Sequence, residues 1–198
     1  MPRLPGPSLP LATPSAFRKE GKLPVYKLKH PIEPGYLHNL TENVTMEVRR
    51  TRLKPIELRG YATTDPGTES IMKCWSRLNN CLAAGTGMAF GRYGVVRYPE
   101  SERLELSYSY TACAKRDDLT DNPEQRKEDL PAVDCMVFTH RGSVRLLPQT
   151  YRYIYGTWLT REGFEPAASF DFEYYGRLFL GVDDPESLVE IFVPVRQA

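Results

Sequence analysis

Between residues 46 and 195 the sequence writes one order of elements twice: strand, helix, strand, strand. In the first unit a strand over 46–61 is bent or divided at Pro55, because proline cannot donate to a sheet ladder. The turn Asp65-Pro66-Gly67 ends it. A helix over 69–84 follows, in which Ile71, Cys74, Trp75, Leu78 and Leu82 form one apolar stripe and Gly85 supplies the stop. Strands over 90–98 and 103–113, separated by a turn at 99–101, close the unit. After a charged loop over 115–130 the order returns: a strand over 133–140, a turn at Gly142, and a helix opened by Pro148 and running to about Thr160. Strands over 170–179 and 188–195 complete it, with a turn at 182–185 between them. Two such units each leave an unpaired strand edge, which they satisfy by pairing with one another. The class this predicts is α+β: a curved, antiparallel-rich sheet with a pseudo-two-fold repeat, two main helices on one face and a ligand groove on the other.

The rest of the chain bounds what such a domain can do. At 198 residues and 22.6 kDa there is length for one good-sized core and a remainder. Eight of the seventeen prolines fall in residues 1–45, where no helical or strand period is sustained. They remove the donors a sheet requires, so 1–45 reads as a proline-rich, disordered tail and 46–198 as the domain. Met46 opens a stretch that resembles a natural first strand, which makes the tail dispensable or a mis-assigned start. Lys and Arg total 26 against 25 acidic residues, leaving no charge excess to hold a phosphate backbone, so no direct nucleic-acid binding is expected. The four cysteines make no CxxC pair and no cysteine–histidine cluster, so neither a metal nor a cofactor is expected. Cys74 and Cys81 stand two helical turns apart, too far for a disulfide. No run of eighteen apolar residues and no secretory leader is present, which points to a cytoplasmic protein without membrane contact. His140, beside Arg141 and Gly142, reads as a turn histidine, and the glycine-rich stretch over 84–91 lacks the lysine of a phosphate loop.

Aromatic density marks the candidate site. Nine of the twenty-five residues from Tyr151 to Tyr175 are aromatic, more than a core of this size requires. Tyr151, Tyr155 and Trp158 follow i, i+4, i+7 spacing and line one helix face. In the strand, Phe170, Phe172 and Tyr174 alternate with Asp171, Glu173 and Tyr175. With the first set against the helices, Glu173 and Tyr175 look into the groove on the other face, and Phe192 of the last strand joins them there, since Val189, Ile191 and Val193 face the helices. A carboxylate walled by rings either rises in pKa or takes a cation, and flat organic cations suit it because they shed little hydration and stack on rings. The alternatives are a solvated strand residue or an ion pair with Arg177 or Arg92.

The segment from Val133 to Val195 resembles the second half of the GyrI-like, or AraC-type effector-binding, family. The matching elements are Val137-Phe-Thr-His-Arg-Gly142, the helix ending at Trp158-Leu159, the Phe172-Glu173-Tyr174 strand and the terminal Glu190-Ile-Phe-Val-Pro194. Residues 46–113 are compatible and less distinctive. The resemblance implies the doubled fold, a bacterial setting, and binding of hydrophobic, often cationic, multidrug-type small molecules, with the family's buried acid falling on Glu173. Some members are fused to DNA-binding domains and regulate transcription; the tail here is too poor in helical period to form a helix-turn-helix. A stand-alone effector-binding module with Glu173, Tyr175, Tyr151, Tyr155, Trp158 and Phe192 around its ligand is the leading expectation. A hydrolase for strained, cyclopropane-type electrophiles, with Tyr155 or Tyr175 beside the acid, and an inhibitor of DNA gyrase are the alternatives that the resemblance leaves open.

Overall fold

A computed structural model describes residues 46–65, 67–82, 91–99 and 108–198. The expected tail, the stop at Gly85, most of the glycine-rich stretch and most of the turn at 99–101 lie outside the described residues. The elements are β1 (Val48–Leu53), β2 (Leu58–Thr63), α1 (Thr68–Asn80), β3 (Arg92–Arg97), β4 (Ser109–Lys115), β5 (Arg126–Lys127), β6 (Val133–Arg141), α2, β7 (Phe164–Pro166), β8 (Phe170–Tyr175) and β9 (Leu188–Gln197). Helix α2 runs through Leu147–Tyr153, a π turn at Ile154–Trp158 and a last turn at Leu159–Arg161.

All named strand pairs are antiparallel, in the order β1-β6-β9-β8-β3-β4-β2-β5, with β7 on β9. The doubled unit is visible in that order. The first unit contributes β2-β4-β3 and the second β6-β9-β8, and the two meet where β3 pairs with β8. The fold is α+β with a pseudo-two-fold repeat, as the repeated pattern predicts. One expected element changes. The stretch over 46–61 is divided at Pro55, not merely bent, and its halves serve opposite ends of the sheet: β1 lies on β6 of the second unit, β2 on β4 of the first. Proline lacks the donor that would continue one ladder through the break.

The helices share one face. Val189, Ile191 and Val193 pack there against Ile154, Trp158 and Leu159 of α2, while Tyr61, Val96, Tyr110 and Ala112 pack against Cys74 and Leu78 of α1. The other face is partly covered. The β1–β2 connection and the segment before β6 cover it, with reciprocal backbone hydrogen bonds of 3.0 Å between Ile56 and Leu130. Beneath them Phe170, Phe172, Tyr93, Val95, Leu58 and Cys135 form a second core. Full burial of a side chain such as Phe172 favours the fold by about 1.5–3 kcal/mol. The phenylalanines of β8 therefore sit in this outer core, and Asp171, Glu173 and Tyr175 turn toward the helices, the reverse of the expected orientation. Register fixes the outcome: Glu173 lies opposite Ile191, and Phe172 opposite Phe192.

At the seam, Gly94 stands across from Glu173. A methyl group there would come within 2.1 Å of the Tyr110 hydroxyl and 2.6 Å of Glu173 Oε2. Only a residue without a side chain lets those two groups meet over the strand. Gly94→Ala is expected to cost at least about 1 kcal/mol in urea denaturation, as overpacking of a closed site does. Gly156→Ala, where nothing lies within 4 Å of the added carbon, should leave stability unchanged or raise it; equal effects at the two positions would contradict this account of Gly94.

Candidate functional site

Side-chain alternation puts Asp171 and Glu173 on the helix-facing side of β8, where they are buried at 0% and 6% exposure. Five tyrosines from four elements or their ends close around them. Tyr98, just past β3, and Tyr155 of α2 donate to Asp171 Oδ2 at 2.6 and 2.7 Å. Tyr110 of β4 and Tyr175 of β8 donate to Glu173 Oε2 at 3.0 and 2.8 Å. Tyr151 of α2 stands between the acids, 3.2 Å from Asp171 Oδ1 and 3.3 Å from Glu173 Oε1. Trp75 of α1 donates its indole N–H to the Tyr110 hydroxyl at 3.1 Å and meets Tyr175 edge-on, with ring centroids 5.0 Å apart. Above the acids, Trp75, Tyr108, Tyr151, Tyr155 and Tyr175 are half-buried and Tyr98 is 38% exposed, so two buried carboxyl groups lie under a partly open layer of rings.

No described cation pairs with either acid. Burial is the dominant influence and raises Asp171 to about 6 and Glu173 to about 7, with the tyrosine hydrogen bonds opposing it. Burial and the neighbouring acids push Tyr110, Tyr151 and Tyr175 well above their ordinary range, which keeps these hydroxyls protonated as donors. The arginines considered from sequence lie elsewhere: Arg92 is across the seam from Tyr175, and Arg177 is exposed beyond the strand.

Of the six residues expected at the site, Glu173, Tyr175, Tyr151 and Tyr155 are brought together, and Trp158 and Phe192 are not. Trp158 packs into the core, edge-on to Phe138 at 4.9 Å and stacked near Phe164 at 5.9 Å. The π turn causes this, because one extra residue in a turn shifts the helix phase by about 100° and rotates Trp158 off the Tyr151–Tyr155 face. Phe192 lies on the opposite face of the sheet, stacked on Phe172 at 4.5 Å. It borders a cavity of about 170 Å³ with Leu53, Ile56, Tyr93, Phe172, Tyr174 and Glu190. The acid there is already satisfied, since Arg49 donates to Glu190 at 2.6 Å and lies over the Phe192 ring.

Asp171, Tyr98, Tyr110 and Trp75 complete the inner site without having been singled out. The spacing of Asp171, two residues before Glu173 on one strand, was a usable signal; the convergence of Tyr98, Tyr110 and Trp75 depends on the seam. His140 is a buried structural residue: its ring joins Thr150 Oγ1 at 2.8 Å and the Ser143 carbonyl at 3.1 Å, and burial lowers its pKa. Among the described residues no group of three or more His, Cys, Asp or Glu side chains could hold a metal, and no helix is long and apolar enough to cross a membrane.

The two acids thus lie under half-exposed rings where the two repeats of the single sheet meet at β3 and β8, and comparison with known proteins places the domain. Residues 46–196 match the family model described as the GyrI-like small molecule binding domain, and the chain belongs to this GyrI-like family. It is 39% identical over 66 residues to the transcriptional regulator BrlR of Pseudomonas aeruginosa, a match covering 33% of this chain and 24% of that regulator. The chain thus aligns with about a quarter of that curated relative. Among solved structures, the EcmrR C-terminal domain matches with a TM-score of 0.58 at 15% identity, covering 77% of this chain and 99% of that one. SAV2435 bound to tetraphenylphosphonium matches with a TM-score of 0.55 at 18% identity, covering 76% and 94%. At these identities the structures share the fold.

The raised acids set a pH dependence. A carboxyl group whose folded pKa is above its unfolded value contributes full stability below the unfolded value near 4 and loses it as pH rises through the folded value. For Asp171 and Glu173 that window ends at about 6 and about 7. Without ligand, Glu173→Gln is therefore expected to unfold several degrees above the parent at about pH 8, the difference narrowing as pH falls and closing at about pH 4. A difference that grows toward acid pH would contradict the sign.

Proposed function

We propose that this domain binds hydrophobic organic cations between α1 and α2, with Glu173 supplying the countercharge. The observation that carries this reading is a glutamate 6% exposed, held by Tyr110, Tyr151 and Tyr175, with no described cation beside it. A carboxylate in such a place is costly to ionise, and a cation arriving at short range removes the cost. The rings favour one kind of cation. A lipophilic, delocalised charge gives up little hydration on entering, buries apolar area against Trp75, Tyr151 and Tyr155, and gains cation–π attraction of about 0.5–2 kcal/mol. An ammonium ion of small size would lose its hydration without regaining contact area.

The likeness to SAV2435, which has been solved with tetraphenylphosphonium, supports that class of guest. The partial match to BrlR supports a sensing role, in which occupancy is read out by regulation. Tyrosine hydroxyls fit a receptor of broad specificity. They orient the acids from the side and leave ring faces, which have little directional demand, to meet guests of differing shape.

Titration calorimetry with tetraphenylphosphonium tests the reading. The parent should bind, and Glu173→Gln should weaken binding by at least about tenfold, as loss of a desolvated charge contact does. Phe192→Leu, altered on the opposite face, should bind as the parent does. Absence of binding by the parent, or unchanged affinity in a folded Glu173→Gln variant, overturns the assignment.

A further inference from the structure

The site holds two acids, and a single countercharge accounts for only one of them. Asp171 is as deeply enclosed as Glu173 and receives its own pair of hydroxyl donors, from Tyr98 and Tyr155. The two carboxyl groups are linked through Tyr151, whose hydroxyl contacts Asp171 Oδ1 and Glu173 Oε1, so these oxygens are within about 6.5 Å of each other, the two contacts laid end to end. A hydroxyl carries one proton and can donate to one acceptor at a time. The second contact becomes a hydrogen bond when one of the acids is itself protonated and donates to the Tyr151 oxygen. The geometry is complete with one proton on the pair, and two bare carboxylates at this separation would repel one another.

Among the described residues, the surroundings contain nothing that would ionise both. From α1 the site is faced by Trp75, from β3 and its end by Gly94 and Tyr98, and from β4 and the residue before it by Tyr110 and Tyr108. From α2 it is faced by Tyr151 and Tyr155, from β8 by Tyr175, and from β9 by Ile191. Among the described residues these are neutral groups, and the tyrosines remain neutral well above physiological pH.

We infer that Asp171 makes this site count charge: a guest with one cationic centre binds the singly protonated pair, whereas a guest with two cationic centres expels the remaining proton to solvent and is preferred once pH permits. The inference rests on the cation-binding reading above and extends it to a ligand class, planar aromatic dications, and to a residue that selects them. A monocation meets one carboxylate and one carboxylic acid, leaving the site neutral with no proton lost. A dication meets two carboxylates, and one proton leaves the Asp171–Glu173 pair as it binds.

Two probes of nearly equal shape separate the cases: N-methyl-4-phenylpyridinium, with one charge, and N,N′-dimethyl-4,4′-bipyridinium, with two. Calorimetry of the full chain in buffers of different ionisation enthalpy should show about one more proton released by the dication. Its affinity relative to the monocation should rise about tenfold per pH unit between about pH 5.5 and 7, as linkage requires for one proton. Asp171→Asn should abolish that slope and the additional proton while retaining the monocation, and circular dichroism reports whether the variant is folded. Equal proton counts and a ratio independent of pH in the parent would overturn the inference and leave the cation-binding reading standing. Failure of both probes and of tetraphenylphosphonium to bind would overturn both.

Discussion

Two carboxyl groups, buried with no cation beside them among the described residues, are the constraint around which the inner face of this domain is organised. Removing a charged group from water costs several kcal/mol unless hydrogen bonds or a counterion compensate. Here the compensation comes from phenols: five hydroxyls converge on four carboxylate oxygens. Phenols stabilise an ionised acid without neutralising it, so the acids stay poised near neutrality, and the proposed reading has a positive guest supply the charge that the phenols do not. An arginine in the same place would have sealed the site, as Arg49 does for Glu190 on the opposite face.

The architecture supplies those phenols because the acids lie at the seam. Tyr98 and Tyr110 come from the first unit, Tyr151, Tyr155 and Tyr175 from the second, and neither unit alone encloses both acids. Gly94 permits the close approach across β3, and the π turn in α2 leaves two tyrosines over the site while sending Trp158 into the core. Apolar packing and the paired acids are thereby divided by position. Phe138, Ile154, Trp158 and the outer cluster around Phe172 fill the cores, and the hydroxyls that hold Asp171 and Glu173 converge on the helix-facing side of β8.

Much of this was legible in the residues. The repeated strand-helix-strand-strand order predicts the sheet and its self-pairing, Pro55 marks the break between β1 and β2, and Glu173 stands out as an acid among rings. What alternation cannot give is which side of β8 meets the helices. Both sets, Phe170-Phe172-Tyr174 and Asp171-Glu173-Tyr175, are aromatic enough to pack, and the outer face looks open unless Ile56 and Leu130 are known to bridge over it. Trp158 failed for a local reason, since i, i+4, i+7 spacing assumes an unbroken α-helix and the π turn is not written in propensity. Phe192 points away from the helices as its alternation with Ile191 and Val193 predicts, and it leaves the site because Glu173 does not share that face. Tyr98, Tyr110 and Trp75 are distant in sequence from the acids and are joined to them only by the β3–β8 pairing.

The central claim is that Asp171 and Glu173 share protons near neutrality in the empty site. Carbon-13 NMR of the side-chain carboxyl groups, followed through a pH titration, reads this directly. The account predicts two interacting transitions well above the ordinary carboxylate range, at about 6 and about 7, both moving to lower pH on addition of a dicationic ligand. Independent transitions near the ordinary values of about 4, indifferent to the ligand, would contradict it.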